Sequence, residues 1–170
     1  MRLDIERLKE IHPMMPAETA AERAHLGALA LQRHHESGVV TQVRFETASH
    51  KATLHWTRRP DTDADQVDPR RMIEDGAEAV ALSLVHAARG WVVLRRLVQG
   101  EHADWLVRDT KTGRLVALEV SGTDDGDGRA RMRQKLAQVT LSTAARARAA
   151  CVISFREPRA ALEMVPETTR

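Results

Sequence analysis

The chain has 170 residues, 42% of them hydrophobic and 29% charged, which suits one domain with a sizeable core and leaves little room for two. No apolar run approaches the roughly 18 residues that crossing a bilayer requires. The opening residues lack the apolar stretch of a signal peptide, and the lone Cys151 excludes an internal disulfide or a cysteine-rich zinc site. A cytoplasmic protein without membrane contact is expected. The formal net charge is +2 but the pI is about 9.1, because the bases are arginines apart from Lys9, Lys51, Lys111 and Lys135.

In chain order, Pro13 and Pro16 bracket a lead-in, and residues 17–36 read as a helix stopped by Ser37 and Gly38. Two β-rich runs follow, 39–47 and 52–57, and the four residues between them suggest a hairpin. The segment 58–69 is acidic, with Asp61, Asp63, Asp65 and Asp68, and reads as an exposed connector. It divides an N-terminal extension, residues 1–68, from a remainder, 69–170, the two together forming one compact domain. Asp68 is a good N-cap and Pro69 a good first helical residue, and Ile73, Ala77, Val80, Ala81, Leu84 and Ala88 recur at helical spacing up to Gly90.

Three strand-like runs come next, 91–98, 103–108 and 115–120, separated by turn chemistry at Gln99-Gly100 and at 109–113, so an antiparallel meander is expected. A Gly/Asp-rich loop, 122–128, leads into a helix with Met132, Leu136 and Val139 on one stripe. Residues 150–155 read as a strand, and Pro158 opens a short closing helix. The order α-β-β-β-α-β implies an α/β fold with a mixed sheet, because the last long helix can carry the chain across to a parallel neighbour.

Several polar residues stand out against this pattern. Glu119 shares a strand face with Leu115, Ala117 and Ser121, and an acid near the end of an apolar strand needs a reason. Asp104 and His102 share one face of the preceding run. Strands lie about 4.8 Å apart, so Asp104 and Glu119 could hold one hard divalent cation, Mg²⁺ or Mn²⁺, with the Val120 carbonyl as a further oxygen ligand. On the long helix, Glu74 and Glu78 flank the apolar stripe one turn apart, and the helical wheel places Glu74 nearer the buried side. From 129 to 150 there are six bases and no acid, a candidate phosphate-binding footprint with Arg129, Arg131 and Arg133 at its start.

Gly76-Ala77-Glu78, Gly100-Glu101-His102-Ala103-Asp104 and Leu118-Glu119-Val120-Ser121, in this order of elements, resemble the PD-(D/E)XK nuclease superfamily over residues 72–155, about half the chain. The resemblance implies a restriction-endonuclease-like α-β-β-β-α-β core, to which the N-terminal helix and hairpin are an addition. It also implies metal-dependent hydrolysis of DNA and leaves RNA open as an alternative nucleic acid. In that reading Asp104 and Glu119 hold the metal, Glu78 orients water or a second ion, and Arg129, Arg131 and Arg133 engage phosphates. The family's lysine two residues after the acid is replaced here by Ser121. Among the four lysines only Lys135, on the helix edge with Arg131 and Gln138, is placed to substitute for it. Two alternatives stand beside the nuclease reading: a catalytically degenerate member that binds nucleic acid or protein, and a homodimeric scaffold built through the N-terminal extension.

Overall fold

The computed structural model describes residues 1–126 and 128–166. The chain builds an α/β fold on one eight-stranded mixed sheet. A short strand β1 (Arg2–Asp4) and a one-turn helix α1 (Leu8–Ile11) precede the helix α2 (Ala17–Gln32) and the hairpin β2 (Val39–Phe45) and β3 (Ala48–His55). The acidic connector carries a single helical turn, α3 (Asp61–Ala64), before the long helix α4 (Pro69–Arg89). Strands β4 (Trp91–Arg96), β5 (Trp105–Asp109) and β6 (Leu115–Thr123) follow, then α5 (Arg129–Thr140), β7 (Ala147–Ser154) and β8 (Arg159–Met164). Across the sheet the order is β1-β3-β2-β8-β7-β6-β5-β4.

The helix boundaries follow from local chemistry. The Asp68 carboxylate accepts the Arg71 N–H at 3.0 Å, Pro69 occupies the first turn, and Gly90, at φ 71°, closes α4 with its N–H on the His86 carbonyl. Helices α2 and α4 touch through glycines: a Cβ on Gly76 would meet the Leu26 carbonyl oxygen at 2.9 Å. Helix α4 packs on one face of the sheet, against β4, β6 and β7, and α2 packs on α4. Val116, Leu118 and Val120 of β6 join the core there, while Ala117 turns to the opposite face, where Met132 and Val139 of α5 pack.

Strands β4, β5 and β6 form the expected antiparallel meander, and α5 carries the chain across to β7, parallel to β6. Three local expectations are corrected. The hairpin turns at Glu46 and Thr47, earlier than the 48–51 segment, and Glu46 takes a positive φ of 53° to do so. Residues 101–104 form a bend with His102 at φ 55°, so β5 starts only at Trp105. The segment after Pro158 is a strand and not a helix, because Ala160 and Leu162 alternate into the core. That strand, β8, pairs antiparallel with β7 and parallel with β2, and so joins the N-terminal hairpin to the rest of the sheet.

Candidate functional site

The site lies where β5 and β6 meet the flank of α5. Asp104 is fixed by backbone pairing on both sides, its N–H on the Leu118 carbonyl at 3.0 Å and its own carbonyl accepting the Leu97 N–H at 2.8 Å. Its Oδ2 accepts the Val120 N–H at 2.8 Å, which aims the carboxyl across β6. Glu119 sits within β6, paired in register with Ala150 of β7, and is only 2% exposed. Lys135 reaches it from α5: Nζ lies 2.5 Å from Glu119 Oε1 and donates also to Gln138 Oε1 at 3.3 Å. Glu119 Oε2 is buried and has no hydrogen-bond partner among the described residues.

Burial apart, the Glu119 charge raises the proton affinity of Asp104, whereas Asp104 acts on Glu119 in the lowering direction. Burial first, and then the Glu119 charge, push Asp104 up to about 6. Burial also raises Glu119, against the hydrogen bond and charge of Lys135. The pair faces an open polar cleft of about 580 Å³ whose walls include Arg96, His102 and Gln138. Although His102 and Asp104 do not share a strand face as expected, both line this cleft.

Of the two helical glutamates, Glu78 is the buried one, at 4% exposure, while the Glu74 side chain is 33% exposed, the reverse of the helical-wheel expectation. Glu78 is held by Arg23 Nε at 2.6 Å and by Arg96 Nη1 at 3.0 and 3.1 Å. Arg96 in turn lies over the Trp105 ring at 5.0 Å and forms a wall of the cleft. Glu74 accepts from the Ser121 hydroxyl at 3.1 Å and the Gly122 N–H at 3.3 Å, with Arg131 3.6 Å away. Glu78 makes no hydrogen bond to Asp104, Glu119 or Lys135, but the Asp104 charge reaches it and Arg96 links it to the cleft. Arg129 and Arg133 are exposed on the first turns of α5, and Arg131 is half-buried.

Arg23 and Arg96 were not singled out from the sequence. Arg23 carries no signal, since its partner lies 55 residues away. Arg96 has one: it directly follows Arg95 where a strand that starts apolar turns basic.

Among the described residues, no group of three or more His, Cys, Asp or Glu is arranged to hold a metal ion. No described helix is long and apolar enough to cross a membrane. No family model, curated protein or solved structure matches the chain.

Proposed function

We propose that the chain is a metal-dependent nuclease of the PD-(D/E)XK type, hydrolysing DNA phosphodiester bonds, in which Lys135 takes the part of the motif lysine. The observation that carries this reading is the state of Glu119. A buried carboxylate with one oxygen on a lysine and the other unpartnered, beside a second carboxylate at a polar cleft, is costly unless something uses it. The order α4-β4-β5-β6-α5-β7, with its antiparallel meander and parallel crossover, supports the restriction-endonuclease-like core.

The donor set fits a hard cation that keeps most of its waters: the Asp104 and Glu119 carboxylates and the Val120 carbonyl. When bound, Mg²⁺ or Mn²⁺ supplies the Lewis acidity that lowers the pKa of a water and offsets charge developing on the phosphate. Lys135 holds a fixed positive charge at the same point, with its side chain only 16% exposed, where it acts at lower dielectric than in bulk water. Gln138 steadies the ammonium. Glu78 does not reach the pair directly; it positions Arg96 on the cleft wall. Arg129, Arg131 and Arg133 carry phosphate contacts along α5, which fix the strand without reading its sequence.

A specific observation favours a second reading, the non-catalytic nucleic-acid binder. Glu78 is occupied by two arginines, and Lys135 is bonded directly to Glu119, so both acids already hold cationic partners from this chain. Cleavage of single- and double-stranded DNA under Mg²⁺ and Mn²⁺ titration separates the two. The nuclease reading expects cleavage that is abolished in Glu119→Gln and Lys135→Ala, with DNA binding largely kept in both. Salt-sensitive DNA binding with no cleavage in either metal would overturn it in favour of the binder.

A further inference from the structure

Arg96 ends β4 on the wall of the carboxylate cleft, and one edge of its guanidinium is already in use. Nη1 donates to both oxygens of Glu78, at 3.1 and 3.0 Å. That carboxylate is buried and is held from its other side by Arg23 Nε at 2.6 Å, and Arg23 is itself buried and paired with Glu22 at 2.8 Å. The Arg96 guanidinium also lies over the ring of the buried Trp105, 5.0 Å from its centroid. Two packed elements, α4 through Glu78 and β5 through Trp105, thus fix an arginine whose side chain remains 46% exposed.

The other edge is open. Among the described residues, Nε and Nη2 have no hydrogen-bond acceptor, and Arg96 makes no ion pair with Asp104 or Glu119, although its charge reaches Asp104 and acts to lower its pKa. A mobile arginine beside two carboxylates would close on them; this one is held back by Glu78 and Trp105. Lys135, the other cation at this point, is bonded to Glu119 and Gln138. Of the residues lining the cleft, Arg96 is therefore the one that brings a permanent positive charge with donors to spare. The Nε–Nη2 edge is a planar fork that matches two oxygens of a phosphate, and a ligand there leaves Nη1 on Glu78.

We propose that Arg96 is the phosphate-binding residue of the cleft: its Nε–Nη2 edge grips one backbone phosphate of a nucleic-acid strand beside the carboxylates. Glu78, with Arg23 behind it, is then a positioning residue that keeps this edge free, a part other than orienting water or a second ion. The cleft volume of about 580 Å³ falls within the roughly 300–1,000 Å³ of small-ligand pockets, room for one nucleotide unit and hence for one such contact. The assignment rests on the nucleic-acid reading of the cleft and does not require cleavage.

Fluorescence anisotropy of a labelled DNA single strand and of its duplex, read on the full chain across a series from about 50 to 200 mM salt, tests this. EDTA throughout removes any metal and stops cleavage, so the readout is binding alone. Arg96→Gln is expected to weaken binding of the tighter form at least about tenfold at low salt. It should also reduce the slope of log K against log salt by one phosphate contact, about 0.7 for a single strand or about 0.9 for a duplex. Arg96→Lys keeps the charge without the fork and should keep the slope while losing part of the affinity. Glu78→Gln leaves Arg96 charged but loosely held, so affinity should fall with the slope kept; binding as in the parent would overturn the positioning role. Arg58→Gln, outside the cleft, should bind as the parent does, and circular dichroism verifies the fold of each variant. An affinity loss in Arg96→Gln without a change of slope, which a merely structural role would give, or no loss at all, overturns the assignment and leaves the nuclease reading standing. Binding that depends on Arg96 in this way, with no cleavage in Mg²⁺ or Mn²⁺, overturns the nuclease reading and leaves the assignment standing. A parent with no salt-sensitive binding of either form overturns both.

Discussion

Asp104→Asn probes the electrostatics of the carboxylate cleft without depending on any activity. In the folded chain the Asp104 carboxyl is raised from 3.8 to about 6. Between these values the folded state binds that proton more tightly than the unfolded chain does. Ionising Asp104 therefore costs stability as pH rises from about 4 to 6, and the cost is constant above that. A rise of about two in pKa corresponds to about 3 kcal/mol at 1.36 kcal/mol per unit. Asparagine keeps an oxygen for the Val120 N–H and carries no charge. The variant is thus expected to exceed the parent at pH 7.5 by up to about 3 kcal/mol, or about 6–12 °C in Tm for a chain of this size. The advantage should vanish near pH 4.

His12 contributes the opposite slope and must be separated. Its ring is buried, Nδ1 accepting the Val93 N–H and Nε2 donating to the Leu82 carbonyl, each at 3.2 Å, and burial lowers its pKa from 6.5 to about 4. The unfolded chain takes up that proton between pH 6.5 and 4, so stability falls as pH drops through this range. From pH 4 to 6 the two contributions oppose each other in the parent, while the variant keeps the His12 slope together with that of the raised Glu119 carboxyl. Urea denaturation of both proteins at pH 4, 5, 6 and 7.5 in EDTA isolates Asp104 as the difference between them. A variant less stable than the parent at pH 7.5, or an offset that does not change with pH, would refute the reasoning.

The remaining predictions concern packing and the buried ion pair. Gly122→Ala would place a Cβ 2.2 Å from the Ile73 carbonyl oxygen. Because backbone must move to relieve that contact, a loss of about 3 kcal/mol or more in denaturant stability is expected. Lys135→Met leaves Glu119 buried opposite an apolar chain and should cost about 3 kcal/mol at pH 7.5. In a Glu119→Gln background the same substitution should cost less than about 1 kcal/mol, and equal costs in both backgrounds would show that the pair is not coupled.

Much of the fold was readable from the sequence because periodicity and capping agree over long segments. The stripe on α4, its Asp68-Pro69 start and its Gly90 stop form one consistent signal. The ends of the chain were harder. Arg159–Met164 is only six residues long, and its alternation of Ala160 and Leu162 is too brief to separate strand from helix. Its pairing with β2 joins residues more than a hundred positions apart, which no local pattern encodes. The same limit applies at the site. Strand alternation shows that Glu119 and Ser121 share a face, and helical spacing puts Lys135 in line with Gln138. The capture of Glu78 by Arg23 depends on how α2 crosses α4 at Gly27 and Gly76, which is a property of the assembled fold.

Position 121 shows how that assembled packing decides which element can carry a charge. Ser121 is 0% exposed, its hydroxyl donates to Glu74, and the next residue, Gly122, touches the backbone of α4 at Ile73. A lysine at 121 would have to fit four methylenes where the serine is fully buried and bonded to Glu74, and hold an ammonium where water is excluded, which lowers a lysine's pKa and favours its neutral form. Ser121→Lys would create the tripeptide of the nuclease superfamily that the sequence resembles, at the expense of the Ser121–Glu74 contact between β6 and α4. Lys135 approaches Glu119 from α5 instead, with its stem along the helix flank and its side chain 16% exposed, so the ammonium keeps some solvent contact while bonded to the carboxylate. The cation thus reaches Glu119 on the α5 side of the sheet, while Gly122 packs against α4 on the other.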